Sequence, residues 1–425
     1  MVSYPSNQHC VSKLVAMTDS HEVVASEDIF DEHGLKLLAK GMRIPHDLQD
    51  RLLMRKLRAP LESTLTLDNG ISLAEVFQGA LALIDEYPVL SRIAGSPGAR
   101  RLLQEGCALP LPPPLVLLMT CARHSGPDSF RRSQMVAALC AGLATSRHVG
   151  PDDARALLMA AVLHDLGEVY INPEYLQDRP LLPSEWKHVA VHPRVGMMVV
   201  HNLGNLPTSV ATCIDQHHER QDGSGYPAQL HGKGLHPLSP LIAVADAVGA
   251  LVSRGDDADE RISLALRIVP GEFDWDVSNA VIGALQGRSA PSQPMEPNAT
   301  GALSAHILLE RLQAADQALT RLVGQPGVPP ALKDICHRTQ PLLEGLTKSL
   351  RSTGILYTSE LTEEDVHDQR LQFEMQQVVR EVAWRMRYQA RNMYLAVEAL
   401  GDPSLVDKVA EVIGLHDLSG TPAQV

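Results

Sequence analysis

Residues 160–168 read AAVLHDLGE and residues 217–227 read HHERQDGSGYP, and these two stretches decide what the rest of the chain is. Ala160–Leu163 is an apolar run of helical type that stops at His164-Asp165, with Gly167 two residues on. Neighbouring side chains at a helix end point about 100° apart, so His164 and Asp165 offer two ligand groups with a tight turn behind them. The pair is followed by His192-Pro193 with Gly196 close behind, by His217-His218, and by Asp246 inside an apolar helix expected over Leu241–Leu251. Imidazoles and carboxylates without a thiolate suit a divalent transition metal such as Fe, Mn or Zn. Two metals bridged by a carboxylate are one device for phosphoester hydrolysis, activating a water and clamping phosphoryl oxygens.

Outward from this centre, residues 126–290 read as helix after helix, each closed by Gly or Pro. Residues 1–70 are expected as a small unit of α/β or β-rich type. In it Glu22–Ala25 and Leu35–Leu38 are short strands around the turn-rich Asp31–Gly34, Pro45–Leu57 is a helix and Leu61–Leu67 a strand. Residues 71–125 form a helical connector interrupted by Pro88, Pro97 and the run Pro110–Pro114. Residues 287–299 (GRSAPSQPMEPNA) are a linker by composition. Stretches at 301–323, 329–352 and 362–400 carry helical periodicity, and a C-terminal bundle or dimerisation region over 300–425 is expected. The fold is therefore mainly α, with a small β-containing N-terminal unit and a C-terminal helical region.

A length of 425 residues asks for two or three domains. The apolar fraction of 44% and charged fraction of 20% are those of a soluble globular protein, and aromatics at 4% beside abundant Ala and Leu favour helix. A net charge of −13 excludes non-specific nucleic-acid binding, which needs a basic footprint, but leaves a small anionic ligand open. Six scattered cysteines without C-x-x-C spacing imply a reducing compartment. No stretch approaches the ~20 apolar residues of a membrane span, and the N-terminus lacks signal-peptide pattern. No membrane association and a cytoplasmic location are expected.

The order His164-Asp165, His192-Pro193, HHERQDGSGYP, Asp246 resembles the HD-GYP family, a branch of the HD metal-dependent phosphohydrolases. The eleven-residue signature HHExxDGxGYP is matched in full, and Gly271-Glu272-Phe273-Asp274 resembles the family's tail. The resemblance covers residues 126–290 and implies an all-helical HD-type core there. It implies His164, Asp165, His192, His217, His218 and Asp246 as metal ligands, with Asp165 bridging. His164 and Asp165 would also be the catalytic pair, and Asp222, Gly223, Gly225, Tyr226 and Pro227 a loop beside the substrate. Glycines there let backbone approach a ligand, while Tyr226 offers a face either for a guanine or for packing. Family members cleave cyclic di-GMP with two or three metals.

Four positions depart from that pattern. Arg132 stands where the family has its first metal-binding His, and a guanidinium has no lone pair for a metal. The position lined by His164, Asp165 and Asp246 then meets a cation, while Asp165, His192, His217 and His218 stay complete. One well-bound metal and a second weak or absent are expected, or Arg132 pairs with Asp246 and replaces the missing charge. Asp128 is a substitute ligand or an exposed helix-start carboxylate, the latter favoured, and His124 and His148 are read as surface residues. Glu168 replaces the Lys of HDxGK, facing substrate phosphate, metal or solvent. Pro240 and Gly249 replace an Arg and an Asp beside the Asp246 helix.

Elsewhere Cys213 is expected as a buried small hydrophobe rather than a group facing the metals. Trp186, Trp275 and Trp384 are expected as core anchors, and His188 and His201 as solvated or capping. Arg380, Arg385, Arg387 and Arg391 are read as a solvated helix face, with a partner interface as the alternative. The functional expectation is a metal-dependent cyclic di-GMP phosphodiesterase of bacterial second-messenger signalling, with reduced activity because of Arg132 and Glu168. The alternatives are a degenerate HD-GYP domain acting as cyclic di-GMP receptor or interaction module, and a phosphohydrolase of another nucleotide. A homodimer or a signalling partner would use the C-terminal helices.

Overall fold

The computed structural model describes residues 4–45, 48–177, 179, 181–253, 258–286, 300–356 and 369–416. The linker expected at 287–299 and the first residues of the helix expected at 362–400 lie outside them. The chain divides into two compact units, Met1–Asp178 with His188–His218 and Leu235–Ser253, and Arg179–Lys187 with Glu219–Gly234 and Arg254–Val425. Helix dominates both.

In the first unit α1 (Gln8–Met17) starts where Asn7 Oδ1 accepts the N–H groups of His9 and Cys10 at 2.9 and 3.0 Å. The sequence reading missed this helix. Three antiparallel pairs follow the expected β content: β1 (Tyr4–Pro5) with β5 (Lys56–Leu57), β2 (Val23–Ala25) with β6 (Leu65–Leu67), and β3 (Ile29–Phe30) with β4 (Lys36–Leu38). The helix expected over Pro45–Leu57 is only α2 (Leu48–Leu53), because Lys56–Leu57 pairs with the N-terminal strand. The strand expected over Leu61–Leu67 begins as a 3₁₀ turn at Leu61–Thr64.

A capping box between Ser72 and Glu75 opens α3 (Leu73–Glu86). Prolines then start helices rather than interrupt them: Pro88 in α4 (Pro88–Ala94), Pro97 in α5 (Pro97–Gly106), Pro113 in α6 (Pro113–Ser125), Pro127 in α7 (Pro127–Ser146) and Pro151 in α8 (Pro151–Leu163). The missing N–H costs nothing in a first turn. Pro113 and Pro114 therefore belong to α6 and not to a connector. Helix α7 is buried without a break from Met135 to Ala144, so it is apolar all round and serves as the central post of this unit. Packed on it are α3, α4, α5, α8 and α12 (Ser239–Val252). Helices α10 (His192–Gly204) and α11 (Thr208–Gln216) also belong to this unit, and α9 (Pro183–Ala190) has its last residues, from His188, in it.

The second unit holds α13 (Ala258–Ala265), α14 (Trp275–Leu285), α15 (Thr300–Gly324), α16 (Pro330–Ser352), α17 (Gln369–Glu398) and α18 (Pro403–His416). Leu312, Leu319, Leu332, Leu343, Val382 and Val409 are among the residues of one apolar core joining α15 to α18. Two of the expected tryptophan anchors are corrected: Trp275 is 70% exposed and Trp384 38%, while Trp186 is buried. Trp275 occupies the first turn of α14, where a side chain overhangs solvent rather than the core. No described helix is long and apolar enough to cross a membrane.

Candidate metal centre

Three histidines are set by the same device. His164 Nδ1 lies 2.9 Å from the Ala161 carbonyl, His192 Nδ1 2.9 Å from that of Val189, and His217 Nδ1 2.6 Å from that of Ile214. Each carbonyl belongs to the last turn of a helix, α8, α9 and α11 in turn, where it has no partner within the helix. A carbonyl only accepts, so each ring carries its proton on Nδ1 and keeps the lone pair on Nε2. Helix termination thus fixes both ring orientation and tautomer, as a second shell does for metal-binding imidazoles.

The Nε2 atoms converge on Asp165. Its Oδ1 lies 3.5 Å from His192 Nε2 and 3.7 Å from His217 Nε2, and its Oδ2 lies 3.1 Å from His164 Nε2. Asp246, from the middle of α12, places Oδ1 3.7 Å from His164 Nε2 and Oδ2 3.4 Å from His218 Nδ1. Asp165, His192, His217 and His218 each present one ligand atom, all within 4.8 Å of one another. His192 Nε2 and His217 Nε2 face each other at 3.2 Å, and His164 Nε2 is buried without a hydrogen-bond partner. Lone pairs aimed at each other and at carboxylates need a cation between them, and nitrogen and oxygen donors without sulfur fit a divalent transition metal.

The charge balance agrees. Burial opposes the charge of Asp165, yet the facing His164, His192 and His217 rings hold its carboxyl well below the usual range. Burial likewise opposes Asp246, which His164 nevertheless holds low. Burial depresses His164, but Asp165 and Asp246 outweigh it and push the ring up to about 10. His192 is raised in the same way, burial being overcome by Asp165, whereas burial prevails at His217 and lowers it. The cluster attracts positive charge.

Arg132, one turn into α7, supplies some of it. Its Nη2 lies 3.2 Å from Asp165 Oδ2 and 3.9 Å from Glu168 Oε1. The pairing of Arg132 with Asp246 considered from sequence is therefore corrected: the hydrogen bond is to Asp165. Glu168 is half-buried rather than fully exposed to solvent. Its Oε2 accepts from Ser129 Oγ at 2.9 Å, and burial, with the charge of Asp165, raises its pKa. Asp128, His124 and His148 are exposed, as expected of surface residues. His188 and His201 are exposed too, His188 stacking on Tyr175. Cys213 is buried with its thiol pushed up to about 12 by desolvation, the behaviour of a small hydrophobe. Gly167 is needed for proximity rather than for a turn of unusual φ: a Cβ there would stand 2.1 Å from the His192 carbonyl oxygen.

The signature loop belongs to the second unit. The Glu219 carboxylate accepts the N–H groups of Ala228 and Leu230 at 2.7 and 3.0 Å, closing the loop on itself. Asp222 Oδ1 accepts the Ser224 N–H at 2.9 Å, and Gly223 has φ +81°, which a side chain would strain. Of the two uses open to Tyr226, packing is the one observed. The ring is 4% exposed and lies 5.2 Å from Trp186 and 5.7 Å from Tyr388, centroid to centroid, with Pro227 following it. Asn392 Nδ2 donates to the carbonyls of Ser224 and Gly225 at 2.8 and 3.3 Å. Sequence reasoning missed Asn392 and Tyr388, and took Arg385 for a solvated residue, although it is buried against Glu272. The available signal was a set of residues (381, 385, 388 and 392) on one face of α17 beside the apolar Val378, Val382, Met386 and Met393.

A family model described as HD domain matches residues 117–272. The cyclic di-GMP phosphodiesterase response regulator RpfG of Xanthomonas campestris is 38% identical over 101 residues, 23% of this chain and 27% of that protein. The 3'3'-cGAMP-specific phosphodiesterase 1 of Vibrio cholerae is 33% identical over 125 residues, 29% of this chain and 28% of that protein. The cyclic di-GMP phosphodiesterase of Thermotoga maritima is 31% identical over 144 residues, 33% of this chain and 39% of that protein. The chain thus spans between about a quarter and two fifths of the length of these relatives.

Proposed function

We propose, from the premise that residues 117–272 are an HD domain of the HD-GYP kind, that the protein is a metal-dependent phosphodiesterase of cyclic dinucleotides, with cyclic di-GMP as substrate. The observation that carries the proposal is the convergence of Asp165, His192, His217 and His218 within 4.8 Å, with imidazole lone pairs turned inward. The names of the relatives support the substrate class, since cyclic di-GMP and 3'3'-cGAMP share a ring of two phosphodiesters.

Asp165, His192, His217 and His218 are the ligands of the well-bound metal, Fe or Mn being the first candidates and Zn the third. His164, Asp165 and Asp246 line a second position that Arg132 leaves weak or empty. A bound ion of this class polarises a phosphoryl oxygen and lowers the pKa of water. The chain's own groups do the rest. Asp165, whose carboxylate stays ionised, orients the attacking water, which passes its proton to solvent as its oxygen bonds to phosphorus. The ribose oxygen departs in line and takes a proton from solvent water, leaving a linear dinucleotide. His164 orients the reacting phosphate, and the backbone of Asp222, Gly223, Gly225, Tyr226 and Pro227 borders the substrate.

The test is turnover of cyclic di-GMP by purified protein reconstituted with Fe(II) or Mn(II), with metal counted on the same sample and a His164→Ala/Asp165→Ala control. Product well above the control is expected. Bound metal without product from cyclic di-GMP or 3'3'-cGAMP would overturn the proposal and leave a receptor or interaction module.

A further inference from the structure

We infer that α17 is a tether for the signature loop, with Asn392 as a positioning residue, so that the C-terminal helices govern substrate binding at a loop they do not contain in sequence. This rests on the proposed function for its catalytic consequence, and on geometry alone for the tether itself.

One face of α17 carries Glu381, Arg385, Tyr388 and Asn392, spaced so that all four lie along one side of the helix. Each of the last three grips a different part of the segment that holds the loop. Arg385 Nε donates to Glu272 Oε2 at 2.7 Å, while its Nη2 donates to the carbonyl of Ala265 at 2.8 Å, at the end of α13. The Glu272 backbone carbonyl in turn accepts the N–H of Gln221 at 2.9 Å, at the root of the loop. Tyr388 and Trp186 enclose the ring of Tyr226. Asn392 reaches the loop backbone, its amide spanning two successive carbonyls, Ser224 and Gly225.

The chemistry is selective. Two adjacent carbonyls are bridged here by the two N–H bonds of one amide nitrogen, which the Asn side chain has and a carboxylate lacks. Asn392 is 3% exposed, so water does not replace those bonds if the donor is lost. Without the tether the loop still has its internal bonds from Glu219 and Asp222, so it loosens rather than unfolds. A loop that is in place only part of the time lowers apparent affinity by that fraction, while saturating substrate restores the rate. The tether therefore sets KM more than kcat. A partner or second copy that shifts α17 acts through the same three residues.

The experiment compares Asn392→Asp, which keeps the shape without an N–H donor, with Asn392→Gln, which keeps the donor, in the full chain loaded with Mn(II). The readouts are hydrogen exchange of amides 221–232, kcat and KM for cyclic di-GMP, and metal content. For Asn392→Asp, loop exchange and KM both rise about tenfold, with kcat within about twofold and metal content unchanged. Asn392→Gln recovers a large part of both. Should Asn392→Asp not fold, Asn392→Ala, which buries no charge, is read in the same way. Unchanged loop exchange in a folded variant overturns the tether. A rise in exchange with KM unchanged overturns its role in substrate binding. If the wild-type protein turns over nothing, the hydrolase reading falls, and loop exchange still decides the tether.

Discussion

The two oxygens of Asp165 keep different company. Oδ1 looks onto His192 Nε2 and His217 Nε2 at 3.5 and 3.7 Å, two imidazole lone pairs. Oδ2 looks onto His164 Nε2 at 3.1 Å and also onto Arg132 Nη2 at 3.2 Å, a permanent positive charge. One side of the carboxylate must find its cation in solution, while the other has been given one by the chain. A dication and a monocation about 4 Å apart repel by roughly 8 kcal/mol at an effective dielectric of 20, and even half of that empties a weak metal position. With a permanent cation at one oxygen and imidazoles alone at the other, Asp165 is an uneven bridge.

The largest effect is expected on the Oδ1 side. His192→Ala or His217→Ala removes a ligand on the Oδ1 side and lowers metal affinity by about a hundredfold or more, emptying the site at micromolar metal. His164→Ala, on the Oδ2 side, leaves about one ion per chain bound. Metal content after gel filtration separates the two. Equal loss in all three variants would mean that the two sides do not differ.

Next in size is Gly167→Ala. A Cβ there would sit 2.1 Å from the His192 carbonyl oxygen and 2.9 Å from the Gly196 nitrogen, both backbone atoms that cannot swing aside. The 3₁₀ turn after Asp165 must then lift off α10, at a cost of about 3 kcal/mol, and the distance between Asp165 and His192 grows with it. Chemical denaturation reads the first effect and metal affinity the second. A stable variant with full metal affinity would show that the approach of these two segments does not hold the Oδ1 side together.

How much of this was legible in the sequence follows from the range of each interaction. The signature at 217–227 and the His164-Asp165 pair were readable because motif and helix end are local. The inward turn of the imidazoles was not, since it depends on where α8, α9 and α11 stop and which carbonyls that leaves unpaired. Arg132 was recognised as a cation at a ligand position, and the one pairing weighed for it, as an alternative, was with Asp246 rather than Asp165. Both Asp165 and Asp246 are compatible with its place in sequence, and only the packing of α7 on α8 and α12 chooses. Arg385 defaulted to a solvated residue because charges on helices usually are; its partner Glu272 lies 113 residues away, beyond any local pattern. The fold class needed only helical periodicity and was legible beyond residue 70, whereas α1 was missed and short strands such as Lys56–Leu57 exist by pairing with a distant segment.

A milder change acts on the Oδ2 side. Arg132→His removes the resident cation and restores an imidazole to the Oδ2 side. Metal content is expected to rise from about one to about two ions per chain, with turnover up about tenfold through transition-state charge stabilisation. One ion in this variant would mean that something other than Arg132 excludes the second.

The smallest effect is expected at Glu168. Its carboxylate is half-buried, accepts from Ser129 Oγ and lies 3.9 Å from Arg132 Nη2, too long for a hydrogen bond. Glu168→Gln keeps an oxygen for Ser129 and deletes one negative charge beside a place where phosphate must come. Arg132 then has Asp165 as its one hydrogen-bonded carboxylate and more positive field to spare for an anionic substrate. KM for cyclic di-GMP is expected to fall by about threefold at low salt, with metal content unchanged, and the gain shrinks as ionic strength rises because part of the site is open to solvent. A KM that instead rises, with metal lost, would make Glu168 part of the metal-holding set and move the boundary between the two sides of Asp165.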